Sequence, residues 1–104
     1  MGIYLFEMRV DVSTKEKRAA IVERTEQVIK QKGIPEVGAK LVAGPWISQE
    51  VPAIFAVFET HDLINSLGAR MELYSAGLVT DLDIKPIATW EEGKTAAAKV
   101  PGYF

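Results

Sequence analysis

The sequence predicts an α+β domain with the element order βαββαβ, in which a four-stranded antiparallel sheet carries two helices on one face. Two stretches have apolar residues at helical spacing, and residues 3–12 alternate between apolar and mixed positions. The run VPAIFAVFET at residues 51–60 is apolar on both of its alternating faces. Such a strand is typical of a sheet covered on both sides. Because two helices cover only one side, we expect a second copy of the chain to cover the other.

The first strand and the first helix have the clearest signals in the chain. Apolar residues occupy one face of residues 3–12, and Ser13 with Glu16 has the S-x-x-E form of a capping box. The helix that follows carries a stripe of residues that predicts its buried face: Ile21, Thr25, Val28 and Ile29. Gly33 followed by Ile34 and Pro35 predicts the end of the helix.

The remaining elements follow in order. Residues 37–48 form the second predicted strand, with a bulge or kink at Gly44 and Pro45, and residues 51–60 form the third. A second helix is predicted over residues 63–75, and a fourth strand over residues 82–90, where Pro86 indicates an edge position or a bulge. We therefore expect one ferredoxin-like domain over residues 1–92 and a C-terminal tail over residues 93–104 that docks on the partner subunit.

Composition excludes several classes of function. The net charge of -2 gives no basic surface for nucleic acid, and the absence of cysteine excludes disulfides and thiolate sites. No apolar run reaches the length that a membrane-spanning helix needs. We expect a cytoplasmic protein with no nucleic-acid or membrane partner.

Three local motifs support a resemblance: GPW at residues 44–46, FETHD at residues 58–62 and DLDIKPI at residues 81–87. With the predicted element order, the chain resembles the dimeric α/β-barrel superfamily. It is most similar to a small uncharacterised branch related to antibiotic-biosynthesis monooxygenase-like, stress-response and cyclase-like proteins. The resemblance implies a homodimer whose sheets form a barrel, and it implies no reaction. The heme-degrading members use an Asn, Trp and His constellation, whereas the first strand here carries Glu7 and Arg9.

The candidate catalytic residues are His61, Glu7 and Arg9. His61 is the only histidine, and its ordinary pKa suits acid–base chemistry near neutrality. The alternative is an exposed residue at the start of the second helix. Glu7 and Arg9 share the mixed face of the first strand, where they could position a ligand. The alternative is an ion pair with a charged residue of a neighbouring strand, for which there are four candidates: Lys40, Lys85, Asp83 and Glu59.

The candidate substrate-binding residues are Trp46, Tyr4 and Trp90, whose rings could stack on a flat ligand. The two tryptophans could equally fill an interface, and strand alternation favours a core position for Tyr4. The sequence lacks the nucleotide, dinucleotide, zinc-protease and serine-hydrolase motifs, so we expect no cofactor and no metal.

Two hypotheses of function remain open. One is a cofactor-independent enzyme, cyclase- or monooxygenase-like, acting on an apolar or aromatic substrate. The alternative is a non-catalytic dimeric module that binds a small hydrophobic metabolite or serves a structural role. A third, an amino-acid-sensing regulatory domain, ranks last because no accompanying DNA-binding or catalytic domain is present.

Overall fold

A computed structural model of the chain describes residues 2–61, 71 and 74–99. The described part contains five strands and two α-helices. The strands are β1 (Gly2–Val10), β2 (Gly33–Ile34), β3 (Ala39–Ile47), β4 (Ala53–Thr60) and β5 (Val79–Ile87). The helices are α1 (Lys15–Gln31) and α2 (Trp90–Ala98), and a short 3-10 helix spans Pro35–Val37.

The strands form one antiparallel sheet in the order β2-β3-β4-β1-β5. The α+β class is confirmed, but the expected count of four strands is wrong, because β2 adds a fifth strand at one edge. The four longer strands keep the predicted order of a split βαβ arrangement, since β4 lies between β1 and β3. One edge of the sheet is therefore β5, and the other is the β3 edge, where β2 pairs only with Ala39 and Lys40.

One face of the sheet, here called the core face, carries the buried apolar cluster. Its buried members lie on all five described strands: Phe6, Ile34, Ala39, Ala56, Phe58, Val79 and Leu82. The rings of Phe6 and Phe58 are 4.8 Å apart between centroids. Val28 of α1 packs against this cluster, so α1 covers the core face as its apolar stripe predicts. Ile29 is the exception, because its side chain is largely exposed.

The start of α1 differs from the predicted capping box. Thr14, not Ser13, is the N-cap, and its hydroxyl oxygen accepts a hydrogen bond from the amide of Lys17. The Ser13 amide donates instead to Asp11 Oδ1, and the Lys17 ammonium lies 2.6 Å from Asp11 Oδ2. These hydrogen bonds hold the pKa of Asp11 well below its ordinary value, and the bond from Lys17 has the largest effect.

The end of α1 also differs from the prediction by one residue. Lys32, rather than Gly33, takes the left-handed conformation after the last helical turn, with φ 58°. Gly33 instead enters β2 with φ 147°, and a Cβ there would lie 2.2 Å from the carbonyl oxygen of Ala39. Only glycine allows the two backbones to approach this closely. The turn after α1 is thus joined directly to β3.

The bulge predicted at Gly44 and Pro45 is confirmed by a register shift between Ala43 and Trp46 in the pairing of β3 with β4. The ring of Trp46 lies over Gly44, where a Cβ would be 2.9 Å from the nearest ring carbon. The bulge therefore directs Trp46 onto the face opposite the core face, beside Phe55.

The edge position predicted from Pro86 is confirmed, because β5 pairs only with β1 among the described strands. The amide of Leu82 points away from β1 and donates a 2.7 Å hydrogen bond to the Tyr74 hydroxyl. Since backbone groups alternate in direction along an antiparallel strand, Pro86 occupies another outward position, where its missing N–H leaves the pairing with β1 intact.

Two predictions concern the rest of the chain. The second helix predicted over residues 63–75 lies mostly outside the described residues, although residues 71, 74 and 75 are helical. The predicted fourth strand ends at Ile87 instead of continuing to Trp90, which is the first residue of α2.

No helix in the described part of the chain is long and apolar enough to cross a membrane.

Candidate functional site

A cavity of about 110 Å³ lies between α1 and the core face. Apolar side chains form most of its described wall: Met8, Val10, Ile21, Val28, Ile54, Ala56, Phe58 and Val79. None of the residues of α1 is fully buried, so the helix does not close tightly on the sheet. The described wall of the cavity is thus formed by α1 on one side and by strands of the core face on the other.

Polar groups lie at one side of the same cavity. Arg24, Gln27 and Gln31 come from α1, and Glu36 comes from the 3-10 helix. Thr25 also lines the cavity, but its hydroxyl donates to the carbonyl oxygen of Ile21 at 2.8 Å. The arrangement is an apolar floor with a polar rim, which is typical of sites for small apolar molecules.

The opposite face of the sheet, here called the open face, has no described helix packed on it. Cross-strand pairing arranges its side chains in rows from β3 to β5. The rows are Lys40–Glu59–Ile3–Ile87, Ala43–Val57–Leu5–Lys85, Trp46–Phe55–Glu7–Asp83 and, without β3, Ala53–Arg9–Asp81. Leu5, Phe55 and Val57 are half-buried, and Trp46 is 54% exposed. An apolar patch bordered by charges thus covers the centre of this face.

Glu7 and Arg9 both lie on the open face, as predicted. Arg9 stands opposite Asp81, and Glu7 stands opposite Asp83, a residue of the same charge sign. Asp83 Oδ2 is 3.2 Å from the ammonium of Lys85. The ion-pair hypothesis for Glu7 named Asp83 and Lys85 as neighbours, and the structure pairs these two with each other.

The structure does not bring His61 together with Glu7 and Arg9 within one chain. His61 is exposed and follows the last residue of β4, whereas Glu7 is paired with Phe55, six residues earlier in the chain. At about 3.3 Å per strand residue, this separation is about 20 Å. The three residues therefore cannot act on one bond in a single chain.

The three candidate binding aromatics are also dispersed. Tyr4 lies on the core face opposite Phe58, whereas Trp46 lies on the open face opposite Phe55. Trp90 begins α2 and is 70% exposed. Trp46 is the one that shares a row with a candidate catalytic residue, Glu7.

Sequence reasoning missed two residues of interest. Asp81, opposite Arg9, was not among its predicted partners, although the alternation of residues 81–87 places it on the same face as Asp83. Thr60 is 1% exposed on the core face, and its hydroxyl has no hydrogen-bond partner among the described residues. The alternation of residues 51–60, which ends at Thr60, is the sequence signal that could have identified this residue.

Among the described residues, no cluster of three or more His, Asp or Glu side chains is arranged to hold a metal ion.

Comparison with known proteins gives no family assignment. No protein-family model and no curated protein matches the sequence. Among solved structures, the chain is similar to an uncharacterised NIPSNAP domain protein from Burkholderia xenovorans, with 11% identity and a TM-score of 0.47 over 86% of this chain and 97% of that one. A protein from Agrobacterium tumefaciens has 16% identity and the same TM-score of 0.47, over 86% and 96% of the two chains. Likeness at this level carries no statement about activity, ligand or assembly.

Proposed function

We propose that this chain is a homodimeric, non-catalytic module that binds a small apolar molecule between α1 and the core face. The observation that carries the proposal is the apolar cavity at this position, with polar side chains on its rim. Apolar surface left partly uncovered beneath a helix gains free energy when a ligand removes it from water.

The volume of the cavity limits the ligand. An engineered protein cavity of about 150 Å³ binds benzene, and sites for drug-sized molecules begin at about 300 Å³. At about 110 Å³, this cavity suits one aromatic ring or a short branched hydrocarbon group. A polar end of such a ligand would reach the side of Arg24, Gln27 and Gln31.

The positions of the three candidate catalytic residues support binding over catalysis, and Glu36 is the one carboxylate on the described wall of the cavity. His61, Glu7 and Arg9 do not line the cavity, and Glu7 and Arg9 lie on the opposite face of the sheet. A general acid or base must reach within hydrogen-bonding distance of the proton that it moves. A ligand in the cavity is therefore out of reach of these three candidate residues.

The homodimer forms, in this proposal, by pairing the open faces of two copies. The half-buried Leu5, Phe55 and Val57 and the exposed Trp46 provide the apolar surface. Contiguous exposed apolar patches with polar borders are typical of protein interaction sites. A two-fold axis would cover both faces at once, because each copy supplies the same patch.

The binding experiment is a titration of the full-length protein with toluene, followed by NMR chemical shifts. We expect saturable shifts at Met8, Val28 and Val79, and we expect Ala56→Leu to abolish them, because the added carbons occupy the cavity. Val22→Leu is the control, since it adds a carbon on the exposed side of α1, away from both the cavity wall and the open face. Unsaturable shifts, or equal binding by the Ala56→Leu variant with an unchanged folded spectrum, would refute the proposal.

One observation favours a second function, a cofactor-independent enzyme acting on an aromatic substrate. Trp46, Phe55 and Glu7 stand in one row of the open face, so a carboxylate lies beside two aromatic rings. A flat substrate stacked there would have Glu7 as its nearest acid–base group. Weaker binding of an aromatic ligand by Trp46→Ala, together with loss of turnover in Glu7→Gln, would favour this function over cavity binding.

A further inference from the structure

We infer that α2 docks on a second copy of this chain, at the β3 edge of that copy's open face. The inference rests on the homodimer of the proposed function and adds a contact that the paired sheets alone do not require. Helix α2 is isolated from the described elements of its own chain. None of its nine residues is buried, and it makes no extended contact with any described element.

The sequence nevertheless specifies this helix. The Thr89 hydroxyl oxygen accepts a hydrogen bond from the amide of Glu92 at 3.1 Å and donates one to the Glu92 carboxylate at 3.0 Å. A helix shorter than about 12 residues is marginal in water even with good caps. A capped helix of this length that does not pack on the described part of its own chain favours a packing partner in another copy.

One face of α2 is shaped for such a contact. Trp90, Gly93 and Ala97 are spaced i, i+3 and i+7, so they lie along one side of the helix. The indole of Trp90 is 70% exposed, and a Cβ added to Gly93 would meet no atom within 4 Å. A large aromatic ring beside two small residues permits close approach of another surface, and tryptophan is enriched at the centres of interfaces.

The position of α2 points to the open face as that surface. Ile87, the last residue of β5, belongs to the outer row of the open face with Ile3. Trp90 follows three residues later, so α2 begins at the rim of this face. Any second copy that pairs with the open face comes within reach of α2.

The charges at the two edges of the sheet favour a second copy as the occupant. Asp81 and Asp83 lie on the β5 edge, and Glu91 and Glu92 form the first turn of α2. The β3 edge of the open face carries Lys40. Three neighbours of opposite charge reduce this difference without reversing it: Lys85 beside Asp83, Lys94 beside Glu91 and Glu59 beside Lys40. A two-fold axis parallel to the strands places the acidic edge of each copy over the basic edge of the other.

The test uses Trp90 as its own reporter. The chain has two tryptophans, so Trp46→Phe leaves Trp90 as the only indole. We expect its emission to shift to the blue and its quenching by acrylamide to fall as the concentration rises, in step with the dimer fraction from sedimentation. A dimer in which Trp90 keeps its solvent-exposed emission would overturn the inference and leave the proposed homodimer intact.

A protein that stays monomeric at every concentration would overturn both proposals. If Trp46→Phe is monomeric while the unmodified chain is a dimer, the readout moves to the unmodified chain, compared with Trp90→Phe. A concentration-dependent shift of equal size in those two proteins would then overturn the inference.

A matched pair of substitutions separates docking from general effects on α2. Ala97→Glu places a carboxylate on the face of Trp90, whereas Ala96→Glu places the same group about 100° around the helix. We expect Ala97→Glu to weaken the dimer at least tenfold and Ala96→Glu to weaken it less than twofold. Equal dissociation constants for the two variants would contradict the inference.

Discussion

At the residue scale, Asp11 joins strand β1 to helix α1. Its carboxylate accepts hydrogen bonds from the Lys17 ammonium and the Ser13 amide, at 2.6 and 2.9 Å. These bonds favour the charged form and lower the pKa of Asp11. The carboxylate therefore holds the first turn of the helix only while it is ionised.

This linkage predicts a dependence of stability on pH. Because the pKa of Asp11 is lower in the folded than in the unfolded chain, its contribution is complete above the unfolded value of about 4. It is lost progressively as the pH falls below that value. We expect the free energy of unfolding of Asp11→Asn to approach that of the unmodified protein as urea denaturation is repeated from pH 7 down to pH 3. A difference that stays constant over this range would contradict the assignment.

The N-cap of α1 gives a second prediction at this scale. Thr14→Ala removes the hydroxyl that accepts from Lys17, and we expect it to destabilise the protein by about 1 kcal/mol. Ser13→Ala is the control, because its amide, which the substitution keeps, makes the hydrogen bond to Asp11. Urea denaturation distinguishes the two, and a larger loss for Ser13→Ala would restore the predicted capping box.

At the element scale, two glycines with positive φ separate backbone strain from crowding. Gly33 has φ 147° and lies against the backbone of β3, whereas Gly77 has φ 71° and no atom within 4 Å of an added Cβ. Gly77→Ala should therefore cost about 1 kcal/mol from its backbone conformation alone. We expect Gly33→Ala to cost more, because it also displaces Ala39. Thermal unfolding of both variants measures the difference, and equal losses would show that β2 moves freely.

The pairing of β1 with β5 carries an unfavourable contact. Glu7 and Asp83 are directly opposite, and like charges in such positions destabilise a sheet by about 0.2–1 kcal/mol. We expect Glu7→Gln to maintain or raise the free energy of unfolding, and Arg9→Gln, which removes a charge opposite Asp81, to lower it. Chemical denaturation of the two variants tests this, and a marked loss of stability in Glu7→Gln would indicate a favourable partner for that carboxylate.

At the scale of the whole molecule, the proposed dimer predicts that the melting temperature depends on protein concentration. Association stabilises the folded chain by mass action, so the melting temperature rises with concentration when copies bind each other. We expect Val57→Lys to remove this dependence, because Val57 lies at the centre of the open face. Val22→Lys is the control, since Val22 is exposed on α1, which packs on the opposite face. Persistence of the dependence in Val57→Lys would place the interface elsewhere.

Much of the fold follows from the sequence because its signals are local. Alternation and spacing predict β1 and α1, and Gly44 with Pro45 predicts the bulge in β3. The strand β2 was not predictable, since two residues carry no period. The site depends on register: His61 and Glu7 are both plausible acid–base groups, yet pairing separates them along the sheet. The sequence does not give the distance between His61 and Glu7, because that distance depends on the strand register.

The β5 edge offers few backbone donors to another copy, because the Leu82 amide donates to the Tyr74 hydroxyl and Pro86 has no N–H. An exposed strand edge is a template on which further chains add, and repeated addition produces fibres. At the β5 edge, one outward amide is occupied and another is missing, and at the far edge β2 is only two residues long. Growth edge to edge is therefore discouraged at β5, whereas at the other side most of β3 pairs only with β4 among the described strands and is interrupted by Pro45. The proposed pairing through the open faces differs from edge growth, because it is complete when two copies have joined.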